Sequence, residues 1–204
     1  MSNNVIVQSV CNNYDDLINI TSPRAKEYAS KIGFEYKLDI NEFNHGRAPA
    51  WNKIFSIDRL LRENYEWIFF LDGDALITNY DYNILDYVKP NKTIFFCNDG
   101  VGDELYNVNT GAFLLKNTPF VRNFITNIKE NESFERWYNT RNWEQNAIHE
   151  EIDTYYEKYC SEMFIYDSNE FNLNGKWVYH PDKNKKIECL KKALELCRGT
   201  DFKS

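Results

Sequence analysis

The chain has 204 residues, 43% of them hydrophobic and 27% charged, with a formal net charge of −7. That size supports one well-buried domain and falls short of two ordinary ones, so residues 1–204 read as a single domain. The acidic balance argues against wrapping along nucleic acid or adhering to an acidic membrane, and it leaves room for a small anionic ligand where a bound cation inverts the local field.

The β-branched run at 5–10 reads as a buried strand. Ser22 can cap a helix with Pro23 at its first position; Ala25, Tyr28, Ala29 and Ile32 lie on its apolar face and Gly33 ends it. A second strand is expected at 34–39. Trp51, Ile54, Phe55, Leu60 and Leu61 then recur at helical spacing, and the run 67–71 is too continuously apolar to have a wet face. This alternation argues for an α/β fold with a mostly parallel central sheet flanked by helices, in which ligands sit at the carboxyl ends of the strands. Further strands are expected at 93–97, 111–115, 163–166 and 177–179. Helices are expected from Thr118-Pro119 to residue 128, over 143–156 and over 184–197.

Five cysteines (Cys11, Cys97, Cys160, Cys189, Cys197) contain no CxxC pair and leave one unpaired in any disulfide scheme. They read as reduced thiols of a cytoplasmic compartment and speak against zinc. No run approaches bilayer-spanning length, and Met1-Ser2-Asn3-Asn4 lacks the basic and apolar regions of a signal peptide. The aromatic content of 16% suits platforms for sugar rings and bases, and equally the covering of a small core.

The chemistry-bearing feature is Asp72-Gly73-Asp74, at the end of the 67–71 run. Two carboxylates one residue apart at a strand end can approach one crevice, and such oxygen ligands suit Mg²⁺ or Mn²⁺. Asp-Gly is also a common hairpin turn, and the tripeptide alone fits both readings. A hairpin calls for an alternating partner strand, whereas residues 75–80 continue apolar and then turn polar.

The stretch 67–79 resembles the DxD region of GT-A glycosyltransferases, especially the family of galactomannan galactosyltransferases and xyloglucan xylosyltransferases. Further segments resemble that family in the same order: Pro49-Ala50-Trp51-Asn52-Lys53, the strand from Asn109-Thr110-Gly111 to Asn117, Trp143-Glu144-Gln145-Asn146-Ala147, and Val178-Tyr179-His180. Glu144 stands where the family usually has Asp, and Pro181-Asp182 replaces a Gly-containing pattern after the histidine. By the same likeness the chain is expected to be a compact version without the N-terminal anchor of secretory-pathway members, similar to the N-terminal domain of chlorovirus glycosyltransferases that decorate a capsid protein. On that likeness the end at Phe202-Lys203-Ser204 is expected to be a domain cut.

The resemblance implies a GT-A, Rossmann-like fold and a Mn²⁺- or Mg²⁺-dependent transferase. It would move a sugar from a nucleoside-diphosphate donor, with UDP-sugars favoured, to a glycan or glycoprotein hydroxyl. A viral capsid glycan acceptor and a host-cytoplasm setting belong to the same expectation. Asp72, Asp74 and His180 are expected to hold the metal. Gln8, Ser9, Val10, Tyr14 and Asp39 are expected at the nucleotide, and Lys53 and Lys183 near the phosphates. Gly73, Asn109, Thr110 and Gly111 should line the donor pocket, with Glu144 and Gln145 as catalytic candidates. Two rivals remain: a haloacid-dehalogenase-type phosphatase, whose D-x-D normally opens its chain and continues Gly-Thr, and a non-catalytic sugar-binding module suggested by the aromatic content.

Overall fold

Val5, Ile6 and Val7 have no solvent exposure, because their strand lies between two parallel neighbours with both faces covered. The computed structural model describes residues 3–10, 15–40, 46–100, 107–181 and 186–201. In chain order the elements are β1 (Asn4–Ser9), α1 (Asp15–Ile32), β2 (Glu35–Asp39), a 3₁₀ turn (Pro49–Trp51) leading into α2 (Asn52–Leu61), β3 (Trp67–Asp72), β4 (Leu76–Ile77), β5 (Ile94–Asn98) and β6 (Val108–Lys116). There follow α3 (Pro119–Glu130), α4 (Trp143–Thr154), α5 (Tyr156–Cys160), β7 (Met163–Tyr166), β8 (Val178–Tyr179) and α6 (Lys186–Asp201).

The main sheet has the order β2-β1-β3-β6-β5-β7, and β4 pairs with β8 in a small second sheet. The pairings β1–β2, β1–β3 and β5–β7 are parallel, whereas β6 runs antiparallel to both β3 and β5. The expected mostly parallel sheet is present, with β6 reversed. That reversal matters for the site. Leu71 pairs with Ala112, so the start of β6, with Asn109, Thr110 and Gly111, lies beside the end of β3.

Alternate residues of the buried strands feed two cores. Ile68, Phe70, Phe113 and Leu115 pack under α2, α3 and α4, and Phe69, Leu71, Ala112 and Leu114 pack with α1, Phe171 and Trp177 on the other face. Burying each such side chain contributes about 1.5–3 kcal/mol, which is why these strands read as unbroken apolar runs rather than alternating ones. At α3 the expected cap is realised: Thr118 accepts from the Val121 N–H and Pro119 fills the first turn.

Helix α1 departs from expectation by starting at Asp15, with Ser22 and Pro23 in its interior. Pro23 has no N–H for the preceding turn. Packing compensates: Leu17 and Ile20 bury against Leu76 and Leu190, while Arg24 donates to the carbonyls of Ile77 and Thr78. The Ser22 hydroxyl, free of any capping duty, lies 2.8 Å from the Tyr36 hydroxyl. The helix expected over 143–156 ends at Thr154, because Tyr155 (φ −123°, ψ 39°) leaves the helical region before α5 resumes. Helix α6 is described from Lys186 and continues past the expected end to Asp201.

Candidate active site

Strand β3 carries Asp72 to the edge of the sheet, and the Ala75 N–H closes a turn on the Asp72 carbonyl at 2.9 Å. Asp-Gly therefore does make a turn, but the strand it leads into pairs with β8 and not with β3. Glycine is required there: a β-carbon on Gly73 would lie 2.1 Å from Val10 Cγ1. Behind the turn, the buried Gln8 amide lies 3.3 Å from the carbonyls of Asp72 and Ala75, while Tyr36 donates to its oxygen.

The β4–β8 pairing sets Leu76 opposite Tyr179, which brings the next residue, His180, over Asp74. His180 Nε2 is 3.0 Å from Asp74 Oδ1 and 3.9 Å from Asp72 Oδ2. One ligand atom from each of Asp72, Asp74 and His180 lies within 4.8 Å of the others. Two carboxylates and an imidazole at such separations fit one divalent cation after small side-chain rotations, since ligand bonds to such ions are about 2.0–2.6 Å. Lys186, at the start of α6, also contacts Asp74, through Oδ2.

Burial alone would push Asp74 up, but His180 and Lys186 outweigh it and hold the carboxyl well below the usual range. For His180 burial acts downward and is overcome by Asp74 and Asp72, so its pKa is raised. Its Nδ1 is buried with no hydrogen-bond partner among the described residues.

A second cluster abuts the first. Lys53 of α2, buried, places Nζ 3.0 Å from Asp72 Oδ1 and 2.8 Å from Glu144 Oε1. It also donates to the Thr110 carbonyl at 2.9 Å, and the Thr110 hydroxyl donates to Glu144 at 3.0 Å. Burial would lower the Lys53 pKa, but the two carboxylates raise it. Glu144 is raised by burial, with Lys53 opposing and Asp72 adding to the rise. Its Oε2 is buried and has no partner among the described residues. Gln145 accepts from the Thr110 N–H at 3.2 Å, and Asn109 accepts from the Gly111 N–H at 2.8 Å.

Both clusters face one cleft of about 440 Å³. Of the residues expected from the sequence, it gathers Ser9 and Val10 from β1, Lys53 from α2, and Asp72, Gly73 and Asp74 from the end of β3. From β6 come Asn109, Thr110 and Gly111, from α4 Glu144 and Gln145, and after β8 comes His180. Two expected residues stand behind the wall instead. Gln8 braces the turn, and the buried Asp39 carboxylate is taken by Arg59 at 2.7 Å and by the Ser56 hydroxyl. Tyr14 and Lys183 lie outside the described residues.

Sequence reasoning missed Lys186, Asn142 and Trp143, which also line the cleft. Lys186 follows Lys183 and Lys185 in one lysine-rich run, and nothing in that run distinguishes the lysine whose ammonium reaches Asp74. Trp143 stands directly before Glu144-Gln145, so the signal was present without a way to tell a core indole from a cleft one.

Residues 5–96 match the galactosyl transferase GMA12/MNN10 family. That segment runs from β1 into β5 and contains Lys53, Asp72 and Asp74. An uncharacterized alpha-1,2-galactosyltransferase of Schizosaccharomyces pombe is 28% identical in an alignment 128 residues long, with coverage of 46% of this chain and 34% of the relative. The match thus spans about a third of that relative's length. Among solved structures, a glycosyltransferase involved in glycosylation of the major capsid of PBCV-1 superposes with a TM-score of 0.72 at 16% identity, over 95% of this chain and 99% of that one. The galactosyltransferase LgtC, solved with donor and acceptor sugar analogs, gives 0.62 at 11% identity, over 96% and 95% of the two chains. The fold is the GT-A fold of these enzymes.

Proposed function

We propose that the protein is a metal-dependent glycosyltransferase that moves a sugar from a nucleoside-diphosphate donor, a UDP-sugar by preference, to a hydroxyl of a glycan or glycoprotein. The observation that carries this reading is the convergence of Asp72, Asp74 and His180 beside the buried Lys53–Glu144 pair, in one cleft at the carboxyl edge of the parallel strands. Ligands of this fold class bind at that edge, and the cleft volume suits a small ligand. The family match, and the donor and acceptor analogs bound by LgtC, support the same reading.

Asp72, Asp74 and His180 are the residues to hold the cation, Mn²⁺ or Mg²⁺. When bound it supplies Lewis-acid neutralisation of the diphosphate leaving group. Lys186 swings from Asp74 to a phosphate oxygen, adding a donor where negative charge grows. Lys53 holds Asp72 and Glu144 in fixed positions. The unpaired Oε2 of Glu144 accepts a hydrogen bond from a sugar hydroxyl, with Gln145 beside it. Ser9 and Val10 face the nucleotide from the end of β1.

The chain is proposed to act as one catalytic domain. Cys97, Cys160 and Cys189 are not in disulfides among the described residues, which supports a cytoplasmic setting. Likeness to the PBCV-1 enzyme supports a capsid-type glycoprotein acceptor. No described helix is long and apolar enough to cross a membrane.

The test is release of UDP from a panel of UDP-sugars with Mn²⁺, Mg²⁺ or EDTA. Metal-dependent release that Asp74→Asn abolishes is the expected result. Turnover of simple phosphomonoesters through a phosphorylated Asp72 would replace this reading with the phosphatase one.

A further inference from the structure

Trp143 is unusual among the tryptophans of this chain. Trp51 and Trp177 have no exposure, Trp67 has 7% and Trp137 is partly buried against the core, whereas Trp143 is 38% exposed and lines the cleft. Its backbone is also unusual: Asn142 (φ 68°) and Trp143 (φ 36°) are consecutive non-glycine residues in the left-handed region. That region is costly for a bulky side chain and persists only where the surroundings over-determine it. Here they do. The next residue, Glu144, is fixed by Lys53 at 2.8 Å and Thr110 at 3.0 Å, and the Asn142 carbonyl accepts from the Gln145 N–H at 2.9 Å. The distortion sets the Asn142 carbonyl, and not its side chain, on the first turn of α4. What it accompanies is a carboxylate turned inward and the neighbouring indole left at the cleft.

The two ends of the cleft differ in chemistry. Asp72, Asp74, His180 and Lys186 concentrate charge at one end, with Val10 packed against the same turn. Beyond the Lys53–Glu144 pair, Trp143 shares the lining with Pro49, Ala50 and Asn142, none of them ionisable. A diphosphate needs the first end. The second offers an exposed aromatic surface and a neutral amide, which suit the apolar C–H face and the hydroxyls of an uncharged sugar ring.

We propose that the Trp143 indole is the platform for the acceptor saccharide, stacking on a pyranose ring beside Glu144. Trp143 is thereby a specificity-determining residue for the acceptor and has no part in donor binding. This rests on the transferase reading above, and the test separates the two.

The indole N–H resonance of Trp143, assigned with Trp143→Phe, is followed while methyl hexopyranosides and pentopyranosides are titrated into protein holding UDP and Mn²⁺. At least one saccharide is expected to shift it. Trp143→Ala should weaken that saccharide about tenfold, and Trp143→Tyr should restore most of the affinity. UDP affinity in the presence of Mn²⁺ should change by less than about twofold in both variants, which also shows that they fold. No shift with any saccharide, unchanged saccharide affinity in Trp143→Ala, or an equal loss of UDP affinity each overturns the proposal. Failure of the wild-type protein to bind UDP with Mn²⁺ overturns instead the transferase reading.

Discussion

A β-carbon on Gly111 would stand 2.4 Å from both Cε1 and Nδ1 of His180. Two segments far apart in the chain are thus shaped to each other: the start of β6 is kept bare so that the imidazole can lie over Asp74. Gly111→Ala forces His180 away from its 3.0 Å contact with Asp74. The expected outcome is a Mn²⁺ affinity lowered about tenfold or more, read by titration calorimetry, with overpacking costing about 1–3 kcal/mol in urea unfolding. Unchanged Mn²⁺ affinity removes His180 from the cation site.

The buried Lys53 lies between two carboxylates, the partly exposed Asp72 at 3.0 Å and the buried Glu144 at 2.8 Å. Removing the ammonium leaves Glu144 buried with a like charge nearby, and breaking such a pair from one side costs about 3–5 kcal/mol. Lys53→Met is therefore expected to lower unfolding stability by that order. Adding Glu144→Gln to it should recover a measurable part, so the double-mutant cycle is non-additive. Strict additivity in urea unfolding would show that the two side chains do not interact.

Much of this arrangement is legible in the sequence because it is local. The run Trp67 to Leu71 is apolar on both faces and ends in acids, so a buried strand delivering carboxylates to its edge follows from pattern alone. Thr118-Pro119 likewise announces its helix. What escapes is decided by partners far along the chain. The reversal of β6 leaves no local trace, because a strand buried on both faces looks alike in either direction. The early start of α1 depends on Leu17 and Ile20 finding Leu76 and Leu190. Gln8 sits at the expected strand end but alternates away from the cleft, and Asp39 meets Arg59 and Ser56 first. Lys186 reaches the cleft from a run of neighbouring lysines that carries no local sign of which one meets Asp74.

Cation binding to the native state alone raises stability by mass action. At a Mn²⁺ concentration about a hundredfold above its dissociation constant the gain is about 2.7 kcal/mol. Thermal unfolding with Mn²⁺ is therefore expected several degrees above that in EDTA. In Asp74→Asn the difference should vanish, because Asp74 faces both His180 and Lys186, which hold its carboxylate in the charged form a cation needs. A full Mn²⁺ shift in Asp74→Asn places the cation elsewhere.

Glu144 gives the pH dependence a definite sign. Burial lifts its carboxyl above the ordinary glutamate value, with Lys53 pulling it back and Asp72 adding to the rise. In the unfolded chain the group ionises near pH 4.3, as an ordinary glutamate does. Over the interval above that pH the folded protein holds more protons than the unfolded chain, so stability falls as pH rises. The contribution is full below the unfolded value and is lost as the pH climbs through the folded one. Glu144→Gln cannot titrate, so its stability relative to wild type should improve across that interval, by up to about 1.4 kcal/mol per pH unit. Urea unfolding of both proteins from pH 4 upward, in EDTA so that cation binding does not contribute, reads this difference directly. Parallel curves would mean that Lys53 offsets the burial of Glu144 completely. The buried carboxylate would then be fully charged in the native protein, accepting hydrogen bonds at Oε2 without ever donating one.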